Sequence, residues 1–294
     1  MAERLSLSIA GITIGLSCDP SEMQLKVEGA ATAFLVNDAN PDLTVRATWG
    51  ELSDATRGEK VFDSGSLWQL YRENGSHLFR FTSPALGSHP YKIASLNKDF
   101  TVGHVRLHRA FFPSDVPVYP LEYPLDELLI TNWLARGRGV EIHACGLVDG
   151  AGNGHLFVGQ SGAGKSTMAR LWQNRTGAKI LSDDRVILRN GGDTIRMYGT
   201  PWHGEAGFAR PDGAPLTDVF FLRHGHGNER VPLEPVEALG RFFACSFPPF
   251  YSPDGLKFTL GFLERIVRTV PCYELGFVPD DRVIALLEEL GAGS

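Results

Sequence analysis

The chain has 294 residues, 43% of them hydrophobic, enough for one large domain or two modest ones with cores of their own. Its 28 Lys and Arg against 34 Asp and Glu leave a formal charge of -6, which repels a polyphosphate backbone and excludes nucleic acid as the main partner. The four cysteines, Cys18, Cys145, Cys245 and Cys272, form no C-x-x-C pair; this excludes a disulfide framework and a cysteine zinc site, and fits a reducing cytoplasm.

The opening "MAERLSLSIAGITIGLSC" alternates instead of running apolar: Leu5, Leu7 and Ile9, then Ile12, Ile14 and Leu16 after Ala10-Gly11. Acidic Glu3 beside Arg4 and the interspersed serines argue against a secretory signal. The pattern predicts two half-buried strands with a register change at Gly11. No window reaches the roughly 18 apolar residues a membrane span requires, so no membrane partner is expected. Alternating runs continue to about residue 120, and in "SLWQLYRENGSHLFRF" the stretches Leu67 to Tyr71 and His77 to Phe81 flank Asn74-Gly75, a strong hairpin signal. Residues 1–120 are therefore expected to form a β-rich N-terminal domain, with the boundary in the proline-rich "FFPSDVPVYPLEYP".

In "YPLDELLITNWLARGRG" the texture becomes helical. Pro124 suits a first turn, Leu125, Leu128, Leu129 and Trp133 share a side, and Gly137 stands where a C-cap belongs. Strands are expected at Val140 to Leu147 and Leu156 to Val158, then a helix from Lys165 to Arg175 with Met168, Leu171 and Trp172 on its buried face. "KIL", "RVILR", "TIRMY" and "TDVFFL" read as further strands. Two helices close the chain near 256–269 and 280–290, the first with a core stripe of Leu256, Leu260, Leu263 and Val267. Such mixing predicts an α/β domain with a partly antiparallel sheet over residues 121–294.

The chemistry concentrates in "HLFVGQSGAGKSTMARLW", where Gly159, Gly164, Lys165 and Ser166 satisfy G-x-x-x-x-G-K-[ST] between an apolar strand and a helix. Glycines let backbone N–H groups converge on phosphate oxygens, and the helix N-terminus adds partial positive charge. Gly159, Gln160, Ser161, Gly162, Ala163, Gly164, Lys165, Ser166 and Thr167 are the expected nucleotide-binding residues, with Lys165 on the β- and γ-phosphates and the Ser166 hydroxyl on Mg²⁺. Eighteen residues past Lys165 stand Asp183 and Asp184, where a strand adjacent to the phosphate-loop strand would end. Two tasks are open to them, ligating Mg²⁺ and taking a proton from an attacking hydroxyl; an extended chain would turn only one toward the nucleotide, unless a bulge intervenes. His143 shares strand parity with Glu141 and Cys145, opposite Val140, Ile142 and Ala144.

Taken together, "VEIHACGLVDG", "GQSGAGKS" and "LSDDRV" resemble the HPr kinase/phosphorylase catalytic domain over about residues 120–210. The resemblance implies a P-loop, phosphoenolpyruvate carboxykinase-like core and transfer of the ATP γ-phosphoryl group to a serine hydroxyl. It implies Asp183 as general base, Asp184 as a metal ligand, His143 as an aid to the base or the phosphoryl oxygens, and Glu205 of "GTPWHGEAGF" as a further metal ligand. The family's later carrier-docking signature is not found, and the N-terminal region differs from the family's regulatory domain, so the chain is similar to the divergent relatives, some of which phosphorylate serine in ribosomally made peptides. Members of the family it resembles are often hexamers; the sequence leaves the oligomeric state open.

The expectation is an ATP- and Mg²⁺-dependent kinase whose acceptor is a serine of a protein or peptide. A small-molecule kinase and a nucleotide-sensing switch are the alternatives. Arg185, Arg196 and Arg210 are unranked candidates for the charge of the transferred phosphoryl group. "PWHGE" is either a loop that closes over substrate or a simple turn, and His224 and His226 are assigned to a solvated loop.

Overall fold

The computed structural model describes residues 3–37, 40–53, 58–113 and 116–291. Ser114 and Asp115, inside the proline-rich stretch expected to hold the domain boundary, lie outside them. The architecture is mixed α and β with sheets dominating, and the chain divides into two compact units, Met1–Leu129 and Ile130–Ser294.

The strands of the first unit are β1 (Glu3–Ile9), β2 (Ile12–Cys18), β3 (Leu35–Val36), β4 (Leu43–Gly50), β5 (Glu59–Asp63), β6 (Trp68–Glu73), β7 (Ser76–Ser83), β8 (Gly87–Leu96) and β9 (Val102–His108), in one sheet of order β3-β1-β2-β4-β9-β8-β7-β6-β5. The two expected opening strands exist, but they form an antiparallel hairpin in which Ile9 faces Ile12. Ala10 (φ 53°) and Gly11 (φ 72°) both take positive φ, the signature of a two-residue turn that reverses the chain where a register change was expected. Asn74 (φ 50°) and Gly75 (φ 79°) do the same between β6 and β7.

Lys92 on β8 is fully buried, its Nζ donating to the Glu122 carbonyl and to Glu122 Oε1, both at 3.2 Å, and lying 4.8 Å above the Phe81 ring. Burial lowers its pKa below the ordinary lysine value, against the opposing charges of Glu122 and Asp126. A folded pKa below the unfolded one means that the unfolded chain binds more protons in that interval, so stability rises with pH there. Lys92→Met is therefore expected to be close to neutral at pH 7, because the Glu122 carboxylate stays 44% exposed. The wild type should gain on the variant as pH rises toward 10, by up to about 1.4 kcal/mol per pH unit crossed. Urea unfolding of both proteins at pH 7 and 10 checks this, and a pH-independent difference would contradict it.

Helix α1 (Leu125–Leu134) leads into β10 (Gly139–Val148), β11 (Gly154–Val158), α2 (Lys165–Trp172), β12 (Lys179–Ser182), β13 (Arg185–Asn190), β14 (Ile195–Gly199), β15 (Gly213–His224), β16 (Glu229–Pro232), α3 (Pro235–Ala244), α4 (Pro253–Thr269), β17 (Cys272–Phe277) and α5 (Arg282–Gly291). In the second unit β11, β10, β13, β14 and β15 pair in sequence, and β15 pairs back to β11 to close a five-stranded ring, with β17 and β16 extending from β15. Side chains alternate between two cores. Leu156, Val158, Val219 and Phe221 join α3 and α4 in one, while Phe157, Phe220 and Leu222 join Met168, Ala169 and Trp172 of α2 and Val283, Ile284 and Leu287 of α5 in the other.

Strands β16 and β17 and helix α3 were not read from the sequence. Helix α2 ends at Trp172, short of the expected Arg175, and its buried face holds Ala169 where Leu171 was expected. The stripe on α4 is also rotated: Leu260 is 42% exposed and the buried face is Gly255, Thr259, Phe262, Leu263, Ile266 and Val267. A helical stripe can be drawn through leucines on either side of Leu263, and contact with α3 selects the one that includes Phe262.

Candidate active site

Strand direction assembles the site. β11 and β12 each run antiparallel to β10, so they run parallel to each other with β10 between them. The acids therefore follow a strand one removed from the strand that leads into the glycine-rich loop, not the adjacent one that was expected. β15 is parallel to β11, so the C-terminal ends of β11, β12 and β15 share one rim, where crevices in such sheets bind ligands.

The glycine-rich loop occupies that rim between Val158 and Lys165. Gly162 (φ 83°) and Gly164 (φ 102°) take the left-handed region, and a Cβ on Gly164 would lie 2.7 Å from Phe277 Cζ. Glycine is thus required twice over at position 164, by φ and by the aromatic ring beneath it. Lys165 is only 6% exposed, and its Nζ donates to the carbonyls of Gly159 (2.9 Å) and Gln160 (3.1 Å). Burial lowers its pKa below the ordinary lysine value, while Asp184 and Cys245 favour the charged form.

Beyond β12 the chain bends at 183–184, and both carboxylates line one open cleft of about 380 Å³. Asp183 is 1% exposed and accepts four hydrogen bonds: Oδ1 from the N–H groups of Gly204 and Phe208 (3.1 Å each), Oδ2 from Ala206 N–H (2.9 Å) and the Ser166 hydroxyl (3.2 Å). Segment 204–208 is wrapped around this carboxylate. A Cβ on Gly204 would lie 2.8 Å from Asp183 Oδ2, so the close approach depends on glycine.

Asp184 has different surroundings. Oδ1 is 2.9 Å from His143 Nε2, and Oδ2 accepts from Arg185 Nη1 at 2.5 Å. Arg185 Nε lies 3.4 Å from Oε1 of buried Glu141, and its guanidinium stacks 4.2 Å from the Phe247 ring. The His143 backbone N–H donates to the Cys245 carbonyl at 2.7 Å. Burial pushes the Asp184 carboxyl up, but the hydrogen bond with His143 and the charges of Arg185, His143 and Lys165 prevail and hold it below its ordinary value.

His143, Ser161, Gly162, Gly164, Lys165, Ser166, Thr167, Asp183, Asp184 and Glu205 thus line one cleft. Gly159, Gln160 and Ala163 form the back of the loop, where two of their carbonyls receive Lys165. Of the candidate arginines, Arg196 donates to the Gly213 carbonyl and lies outside the lining, as does Arg210; Arg185 reaches the site through Asp184. Exposed His224 and His226 also lie outside it. One lining residue escaped the sequence reading, Arg170, whereas Gly204 belongs to the "PWHGE" loop singled out there. Arg170 stands four residues after Ser166 on a helix, a spacing that could have revealed it.

Among the described residues, no group of three or more His, Cys, Asp or Glu side chains is placed to hold a metal by itself. The cleft's oxygen donors, the Ser166 hydroxyl with the Asp184 and Glu205 carboxylates, have the hardness Mg²⁺ selects, and Mg²⁺ commonly takes its remaining ligands from phosphates and water.

No family model matches the chain, and no curated protein matches it. Among solved structures, the Hpr(Ser) kinase/phosphatase from Coxiella burnetii aligns with 16% identity and a TM-score of 0.28, over 52% of this chain and 93% of that one, a score too low to establish a shared fold.

Proposed function

We propose that the chain is an ATP- and Mg²⁺-dependent kinase that phosphorylates a hydroxyl, that of a serine in a protein or peptide. The observation that carries this is the meeting, in one cleft, of a glycine loop at a helix N-terminus, a buried lysine and two carboxylates in unlike surroundings. Phosphoryl transfer requires little covalent work from a protein; positioning and charge do most of it. The same reading takes Gly159 to Ser166 as a P-loop on a phosphoenolpyruvate carboxykinase-like sheet.

In this reading the loop N–H groups and Lys165 hold the β- and γ-phosphates. Ser166, Asp184 and Glu205 would hold Mg²⁺, which supplies neutralisation of phosphate charge. Asp183 takes the acceptor's proton as the new O–P bond forms and the bond to the β-phosphate breaks, releasing ADP. Rotation of the Ser166 hydroxyl away from Oδ2 leaves that oxygen with one backbone donor and a free lone pair for the acceptor. His143 and Arg185 fix the orientation of Asp184.

The test is incubation with γ-labelled ATP and Mg²⁺ in native lysate, followed by mass spectrometry of the labelled species. Label on a serine of a protein or peptide is the expected result. Label on a sugar or cofactor precursor would replace the acceptor class. Nucleotide-dependent binding of a partner with no labelled product would replace the kinase reading with a switch.

A further inference from the structure

We infer that Arg170 is a second cation of the donor site and binds the triphosphate alongside Lys165; the inference rests on the nucleotide reading above. Arg170 lies in the last turn of α2, three residues after Thr167 and four after Ser166, so the three side chains share a helix face. Long helical side chains lean toward the helix N-terminus, which carries this guanidinium back over the turn that holds Ser166 and Thr167. Its position in the cleft lining agrees with that direction.

Charge supplies the second argument. The lining contains three carboxylates, Asp183, Asp184 and Glu205, against two full cations, Lys165 and Arg170. A triphosphate brought to a cleft of that balance needs both cations directed at it. Lys165 is already aimed inward, at the loop carbonyls. Among the described residues Arg170 has no ion-pair partner, and its side chain is exposed, so binding phosphate breaks no contact of the resting site. Its planar fork presents paired N–H donors in a fixed geometry that matches two oxygens of one phosphate, which the point charge of a lysine does not.

An anionic group on the acceptor could use the same fork, so binding is measured without acceptor. Calorimetric titrations of ATP, ADP and AMP with Mg²⁺ would compare wild type, Arg170→Ala, Arg170→Lys and Lys165→Met. Arg170→Ala should weaken ATP by about 10- to 100-fold and AMP by much less, with partial recovery in Arg170→Lys. Thermal unfolding should be unchanged, since the side chain is exposed. An Arg170→Ala protein that binds ATP within about twofold of wild type would overturn the inference while leaving the nucleotide reading intact. The donor assignment also falls if binding is intact and only phosphorylation of the acceptor is lost. Failure of the wild type itself to bind ATP, with Lys165→Met no different, would remove the nucleotide reading and this inference together.

Discussion

Lys165→Met is expected to abolish nucleotide binding and lower turnover by at least about 10²- to 10³-fold, the scale for losing one preorganised charge donor, while the fold survives. The two effects separate because the resting lysine contributes little to stability. It is buried, its pKa is depressed by that burial, and among the described residues its amino group donates to the carbonyls of Gly159 and Gln160 alone. Gln160 is exposed and Gly159 only partly buried, so water can take over both acceptors in the variant. Replacing a buried charge with an apolar chain of similar length is often neutral or stabilising, and the unfolding free energy should stay within about 1 kcal/mol of wild type. Calorimetric titration and urea unfolding measure the two quantities. A methionine variant that binds ATP as the wild type does would remove Lys165 from the site.

Asp183→Asn should behave differently, losing both transfer and stability. An amide offers one acceptor oxygen where the carboxylate has two. Either way round, its NH₂ faces a backbone N–H: those of Gly204 and Phe208 if it replaces Oδ1, that of Ala206 if it replaces Oδ2. Each buried donor left without an acceptor costs about 1–3 kcal/mol. The variant should therefore unfold at lower urea, and the amides of residues 204–208 should exchange faster with solvent. ATP binding should persist through the glycine loop and Lys165, while transfer falls by about 10²-fold or more for want of the base. Normal transfer by a folded Asp183→Asn protein would sink the assignment of the base. Loss of stability without protection changes at 204–208 would sink the account of the segment as held by this carboxylate.

Much of this site was legible in one dimension because its parts are short-range. The glycine loop, Lys165 and Ser166 lie within eight residues, and the loop's backbone conformation depends on its own glycines. Hairpins at Ala10-Gly11 and Asn74-Gly75 are equally local, although only the second has side-chain chemistry distinctive enough to identify the turn. The sequence of the loop "PWHGE" does not distinguish a lid from a turn. It is held by Asp183, some twenty residues earlier, through backbone N–H groups that carry no residue signature.

The residues themselves determined that a glycine-lysine-serine loop precedes a helix, that an acid pair follows it, and that the first part of the chain is built from alternating strands. Those features depend on neighbours in the chain, so pattern and turn chemistry suffice to read them. Only the tertiary structure decided that β10 stands between the loop strand and the acid strand, that Asp183 and Asp184 have different partners, and that Arg170 lines the cleft where Arg196 and Arg210 do not. Strand order and the choice of hydrogen-bond partner are set by which distant surfaces bury each other. That is a property of the closed ring of strands as a whole, and no single stretch of the chain contains it.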